Sequence, residues 1–160
     1  MNIIKFSTET VTLAPCVATI GFFDGVHKGH RFLINHVIQE AVDSGLQSTV
    51  ITFDQHPRQV LQSDYVPQML SRFERKMSLL ANTGIDNGVV LHFNKEIASL
   101  SSYDFMKNVL RDRLNVKKLV IGYDNRFGHN RDEGFDDYVR YGNELGIEVI
   151  RNQAFVLNGV

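Results

Sequence analysis

The sequence predicts an α/β fold, a doubly wound parallel sheet of five to six strands with helices on both faces. Three observations predict it. Short apolar runs alternate along the chain with stretches whose apolar residues recur at helical spacing. Those runs are apolar on successive residues, as strands buried on both faces of a parallel sheet are. The length of 160 residues suits one domain with a core of its own.

Taken in order, Asn2 to Thr12 opens the chain as an edge strand or hairpin. Cys16 to Gly21 is a short apolar run ending in glycine, the first core strand. From Arg31, residues Phe32, Leu33, Val37, Ile38, Ala41 and Val42 recur at helical spacing, and Gly45 stops the helix. Ser48 to Phe53 is β-branched and reads as a strand. Asp54-Gln-His-Pro-Arg58 is a loop stiffened by Pro57. Ser71 caps a helix carrying Phe73, Met77, Leu79 and Leu80, which stops at Thr83-Gly84. Val89 to Phe93 is the next strand, Ser102 to Leu114 the next helix, and Lys118 to Gly122 a further strand. Phe135 to Leu145 forms a helix ending at Gly146, and Ile147 to Ile150 closes the sheet. No repeat, low-complexity tract or linker divides the chain, so residues 1–160 read as one domain.

Composition narrows the classes. Apolar content is 43% and charged content 22%, ordinary values for a soluble globular protein. Seventeen Lys and Arg face 18 Asp and Glu, a net charge of −1. Without a basic field, wholesale nucleic-acid binding is disfavoured, while a small anion needs only local positive groups. The single Cys16 excludes an internal disulfide and reads as a small buried residue at a strand start. No apolar run approaches a bilayer span, and the N-terminus lacks a signal-peptide pattern, so no membrane role and a cytoplasmic location are expected.

Three loops follow strands at the carboxyl edge, where sheets of this kind bind ligands: Gly21 to His30, Asp54 to Arg58, and Gly122 to Arg131. In the first, Gly21 and Gly25 permit a tight turn and close approach of backbone to ligand. Gly29 leaves space between His27 and His30, whose three-residue spacing lets one helical turn aim both to the same side. A strand-to-helix turn offers an anion backbone N–H groups, to which two imidazoles add further donors. Phosphate binding is the favoured reading. A pair of surface histidines is the plain alternative, and metal binding a second, with Asp24 the only near carboxylate. The loop is neither a Walker loop nor a Gly-x-Gly-x-x-Gly fingerprint. In the later loops, Pro57 offers a flat apolar surface and Arg58 a cation. Asn125, Arg126 and Phe127 supply a donor, a cation and an aromatic face. An ordinary turn, a salt bridge from Asp124 to Arg126 or Arg131, and core packing of Phe127 are the plain readings there. His36, His92, Arg111-Asp112-Arg113 and Lys117-Lys118 read as packing or solvated surface, and His129 as a candidate rim of the ligand pocket.

The segment from Phe23 to His30 resembles the His-x-Gly-His signature of the nucleotidylyltransferase superfamily. Gly21-Phe-Phe-Asp-Gly-Val-His-Lys-Gly-His30 more closely resembles the adenylyltransferase module of bacterial FAD synthetases, the bifunctional riboflavin kinase/FMN adenylyltransferases. Thr52-Phe-Asp-Gln-His-Pro-Arg58, Arg75-Lys76 with Leu79-Leu80, and Gly122-Tyr-Asp-Asn-Arg-Phe-Gly128 fall in that family's order and approximate spacing. The likeness thus covers nearly the whole chain.

The resemblance implies a Rossmann-like fold and transfer of AMP from ATP to the terminal phosphate of FMN, giving FAD and pyrophosphate. Magnesium would ride on the triphosphate, with the direct metal ligands unknown and no covalent intermediate. His27 and His30 would hold the ATP phosphates and stabilise the transition state. Gly21, Phe22 and Phe23 would line the cleft by backbone contact, and Gly29 would leave room. Asp24 either braces the loop or touches ligand. Asp124 falls where the family has an Asp or Asn beside the reacting phosphates. His56, Pro57 and Arg58, with Asn125, Arg126 and Phe127, would receive the flavin.

Family members continue past Asn158-Gly159-Val160 into an Ile/Val-Ser-Ser-Thr-x-Ile-Arg segment that helps bind ATP, and then into a riboflavin kinase domain. The sequence stops before both, so a truncated module with weak or no transfer and some retained ligand affinity is expected. Two other readings stay open: a related nucleotidylyltransferase acting on phosphopantetheine or a cytidylyl acceptor, and a non-catalytic flavin or nucleotide sensor.

Overall fold

The central strand, β2 (Cys16–Ile20), is buried along its whole length and pairs in parallel with β3 (Gln47–Phe53) on one side and β5 (Val116–Ile121) on the other. β4 (Asn87–Leu91) lies beyond β3, and β1 (Asn2–Lys5) and β6 (Glu148–Arg151) occupy the two edges. The order is β1-β4-β3-β2-β5-β6, every pairing parallel. This computed structural model describes residues 1–6, 13–23, 28–54, 72–92, 94–122 and 133–152. The predicted doubly wound sheet is the observed one, with six strands among those residues. The opening segment contributes one parallel edge strand, Asn2–Lys5, and residues 7–12 of it lie outside the described residues.

Among the described residues the helices are α1 (Lys28–Ser44), α2 (Arg72–Ala81), the short α3 (Lys95–Ser99) and α4 (Ser102–Asp104), and α5 (Phe135–Leu145). α4 runs directly into a π-helical stretch, Phe105–Arg111. Helices cover both faces of the sheet. One core places Leu33, Ile34, Val37 and Ala41 of α1 and Met77 and Leu80 of α2 against Val17, Val50, Val90 and Val120. The other places Phe105, Met106, Val109, Leu110, Tyr138 and Leu145 against Cys16, Ala18, Ile20, Ile51, Val89 and Leu119. The alternation of β2 between these cores follows from the two-residue period of a strand.

Boundaries differ from the sequence reading where tertiary contacts override propensity. β4 starts two residues before the predicted Val89, on Asn87 and Gly88, both poor strand formers. Pairing on both sides draws them in, and the Asn87 amide donates to Gln47 Oε1 (2.9 Å) and Thr49 Oγ1 (3.3 Å). β5 likewise starts at Val116, and a register shift beside Cys16 and Val17 skips Lys117, which stays exposed. Lys118 then faces α1 and pairs with Glu40 (3.6 Å) and Glu148 (3.3 Å), so it is not the simple solvated charge expected. α3 went unpredicted; Asn94 caps it by accepting from the Ile97 N–H at 2.9 Å. Gly146 ends α5 with a left-handed φ of 78°, where the sequence placed its stop.

Cys16 is fully buried, and its thiol donates to the Leu114 carbonyl at 3.5 Å. Burial pushes that thiol up from 9.0 to about 11, against a smaller lowering by the Thr49 hydrogen bond and the Lys117 charge. Between those values the unfolded chain releases a proton that the folded chain keeps. Stability therefore falls as pH rises from 9 to 11, by about 1.4 kcal/mol per pH unit from this group. Urea titrations across that window should show the slope, and Cys16→Ala should flatten it. Gly142 faces the Ile147 carbonyl oxygen, which an added Cβ would meet at 2.3 Å. Gly142→Ala is expected to cost about 1–3 kcal/mol, read as a lower urea midpoint.

Candidate active site

The strand order reverses beside β2. From β2 the chain winds outward through β3 and β4, then returns to β5 on the opposite side and continues to β6. A crevice at such a reversal, outside the carboxyl ends of the strands, is where these sheets take ligands. The turn after Ile20 and the turn after Ile121 leave from neighbouring strands at this point. The ladder between β2 and β5 is paired as far as Ala18↔Leu119, although both strands run two residues further. The next residue of β2, Thr19, carries a fully buried hydroxyl without a hydrogen-bond partner.

The first loop is held from several directions. The Gly21 N–H donates to the Ile51 carbonyl at 3.0 Å, extending the ladder one residue past the strand. The Phe22 carbonyl accepts from Lys76 Nζ at 2.8 Å and from the Thr52 hydroxyl at 3.2 Å. Phe23 then turns left-handed, with φ 53°, a conformation costing a non-glycine residue roughly 1–2 kcal/mol. Its ring is 3% exposed in the α1 core, and burial of that ring offsets the cost. Gly21 makes room for it, since a Cβ there would lie 2.9 Å from Phe23 Cε2.

α1 begins at Lys28, three residues earlier than the predicted Arg31, which puts the half-buried His30 in its first turn. The His30 ring meets the Phe23 ring edge-on, centroids 5.1 Å apart. No acidic residue lies in that first turn, so nothing there opposes an anion at the positive end of the helix.

The other loops share this edge. Phe53 stacks against Phe22 at 4.8 Å, and the Asp54 N–H donates to the Leu91 carbonyl at 3.0 Å. Beside it, His92 Nδ1 and Asp54 Oδ2 are 2.6 Å apart across the ends of β3 and β4. At the far end of the third loop, both tyrosine hydroxyls of α5 donate to Glu133: Tyr138 to its carbonyl at 3.5 Å, Tyr141 to its carboxylate. The Gly134 N–H donates to Asp137 Oδ2 at 2.9 Å, fixing the start of α5.

Of the predicted site residues, the structure brings Gly21, Phe22, Phe23 and His30 together at this edge. Gly29 lies in the first turn of α1. Asp24, His27, His56, Pro57, Arg58, Asp124, Asn125, Arg126 and Phe127 lie outside the described residues, as do Arg131 and His129. His36 packs rather than binds: its Nδ1 is 2.7 Å from the Oδ1 of the buried Asn152. Lys76 is the residue the sequence reading left without a role. Its signal was available, for Phe73, Lys76, Met77 and Leu80 fall on one helical face.

Residues 9–160 match the family model described as FAD synthetase. The chain belongs to the FAD synthetase family. It is 35% identical over 145 residues to a bifunctional riboflavin kinase/FMN adenylyltransferase of Escherichia coli K12, covering 91% of this chain and 46% of that protein. A protein of the same name from Pseudomonas fluorescens matches at 35% over 145 residues, with the same coverage. The chain therefore spans about half the length of the curated relatives it matches. Among solved structures, a protein from Streptococcus pneumoniae described as a macrolide-efflux protein superposes with a TM-score of 0.77. It is 25% identical, and the match covers 94% of this chain and 51% of that one. No helix among the described residues is long and apolar enough to cross a membrane.

The left-handed turn makes a specific prediction. Phe23→Ala should cost about 3–5 kcal/mol through loss of the buried ring. Phe23→Gly should be about 1 kcal/mol more stable than Phe23→Ala, because glycine alone adopts this backbone freely. Chemical denaturation of both variants measures the order; alanine above glycine would exclude a retained left-handed turn.

Proposed function

We propose that this FAD synthetase domain transfers AMP from ATP to FMN, forming FAD and releasing pyrophosphate. The observation that carries the reading is the junction of the Gly21-Phe22-Phe23 turn with the first turn of α1. It puts His30 at the reversal of strand order, in a chain that matches the family across residues 9–160.

In this reading an oxygen of the FMN phosphate attacks the α-phosphorus of ATP. The new P–O bond forms as the bond to the β-phosphate oxygen breaks, and pyrophosphate departs. A phosphate dianion has no proton to lose, so the site needs hydrogen-bond donors rather than a base. His27 and His30 supply donors that strengthen as charge spreads over the transferring group, together with the N–H groups of α1. Asp124 would act beside the reacting phosphates. Gly21, Phe22 and Phe23 would line the cleft, Asp24 would brace the loop or touch ligand, and Gly29 would keep the helix start open. His56, Pro57 and Arg58 leave the end of β3, and Asn125, Arg126 and Phe127 the end of β5, to enclose the flavin. Magnesium enters on the triphosphate. Among the described residues no group of three or more His, Cys, Asp or Glu is placed to hold a metal ion.

The names of the relatives pair this activity with riboflavin phosphorylation. We propose the same pairing, in the cytoplasm, for the protein to which this domain belongs, with a riboflavin kinase domain following it and a family ATP-binding segment between.

Incubation of the chain with FMN and Mg-ATP, with FAD and pyrophosphate measured, tests the reading; phosphopantetheine in place of FMN should give no product. His27→Ala and His30→Ala should each lower the transfer rate by about 10²–10³, as loss of a transition-state donor does. Flavin affinity should change little. A wild-type chain that binds FMN without making FAD, even with the segment that follows Val160 in relatives supplied, would favour a flavin sensor.

A further inference from the structure

Lys76 is 6% exposed, a rare state for a lysine, and it sits on the sheet-facing side of α2 with Phe73, Met77 and Leu80. Its ammonium donates to two backbone carbonyls, Phe22 at 2.8 Å and Phe53 at 3.0 Å. Those carbonyls stand at the exits of different strands. Phe22 leads out of β2 toward the histidine loop; Phe53 is the last residue of β3, ahead of the His-Pro-Arg loop. The ring of Phe73 lies 5.5 Å from the same nitrogen, and the Phe22 and Phe53 rings stack on each other above the strands they end.

Removing a lysine head group from water is costly, and the cost is met only where its N–H groups find acceptors in fixed places. Here the acceptors are the exits of two ligand loops. We infer that Lys76 is a positioning residue that ties these exits together. It sets the Phe22 carbonyl, hence the left-handed Phe23 turn, and hence the ring against which His30 rests. The inference rests on the adenylyl-transfer reading for its kinetic consequence, but not for its structural one.

Lys76→Met keeps the length and apolar stem and removes the donors. The reference is Met77→Ala, on the same helix and in the same core but with no bond to either loop exit. Well below both melting temperatures, Lys76→Met should lower kcat for FAD formation on the order of a hundredfold, the effect of a displacement near 1 Å at reacting groups. Met77→Ala should leave kcat near wild type while losing thermal stability. Lys76→Arg, which keeps charge and donors, should recover part of the rate, and it serves if the methionine variant does not fold.

A second readout does not need turnover. The Phe23 ring is close enough for its ring current to shift the His30 imidazole resonances in NMR spectra. Those resonances should move in Lys76→Met and hold in Met77→Ala. Unmoved His30 signals, or a kcat loss no larger than that of Met77→Ala, would overturn the role of Lys76. Absence of FAD formation by the wild-type chain, with the segment that follows Val160 in relatives supplied, would instead sink the transfer reading, with the His30 resonances still deciding on Lys76.

Discussion

Every backbone group of a strand buried on both faces must find its partner within the sheet, and β2 meets this condition with a parallel neighbour on each side. Parallel neighbours send all their connections out of the sheet ends, so the loops after β2, β3 and β5 leave at one edge. The order of strands reverses beside β2. In sheets of this kind a reversal opens a crevice through connectivity, before any side chain is considered. The β2–β5 pairing runs to Ala18↔Leu119, and the next residue, Thr19, holds a buried hydroxyl without a hydrogen-bond partner among the described residues.

What occupies that edge is expensive to keep in place. A phenylalanine in the left-handed region and a buried lysine each cost free energy, and neither would persist without compensation. They compensate each other. Lys76 and Thr52 satisfy the Phe22 carbonyl, the turn drops the Phe23 ring into the core beneath α1, and the ring backs His30. Strain in the turn is thereby coupled to a helix start that carries no acid in its first turn. A helix N-terminus of that kind favours negative charge.

Much of this was legible in the residues themselves. The apolar runs of β2 and β3, the helical phase of α5 and its glycine stop all appear in the structure within a residue or so. The strand-to-helix histidine loop pointed to this edge of the sheet, where the described His30 lies. Other features were not legible for physical reasons. Asn87 and Gly88 have little strand propensity and were drawn into β4 by pairing on both sides. Lys118 looked like half of a solvated pair with Lys117, but a register shift in β5 leaves Lys117 exposed and turns Lys118 toward Glu40 and Glu148. His92 reads as an ordinary packing or surface residue within the predicted strand Val89 to Phe93; β4 ends at Leu91, and only the pairing of β3 with β4 brings His92 to Asp54.

Local pattern thus determined the class of fold, most of the succession of its elements and the strand-to-helix turn after β2, because periodicity and turn chemistry act over a few neighbouring residues. The tertiary structure decided the strand order, the place of the reversal and the partners of Lys76. That lysine lies 54 residues from Phe22 and 23 from Phe53 along the chain. No local rule links such positions. They meet because α2 must bury its apolar face against the sheet, and the burial carries an ammonium to the exits of two loops.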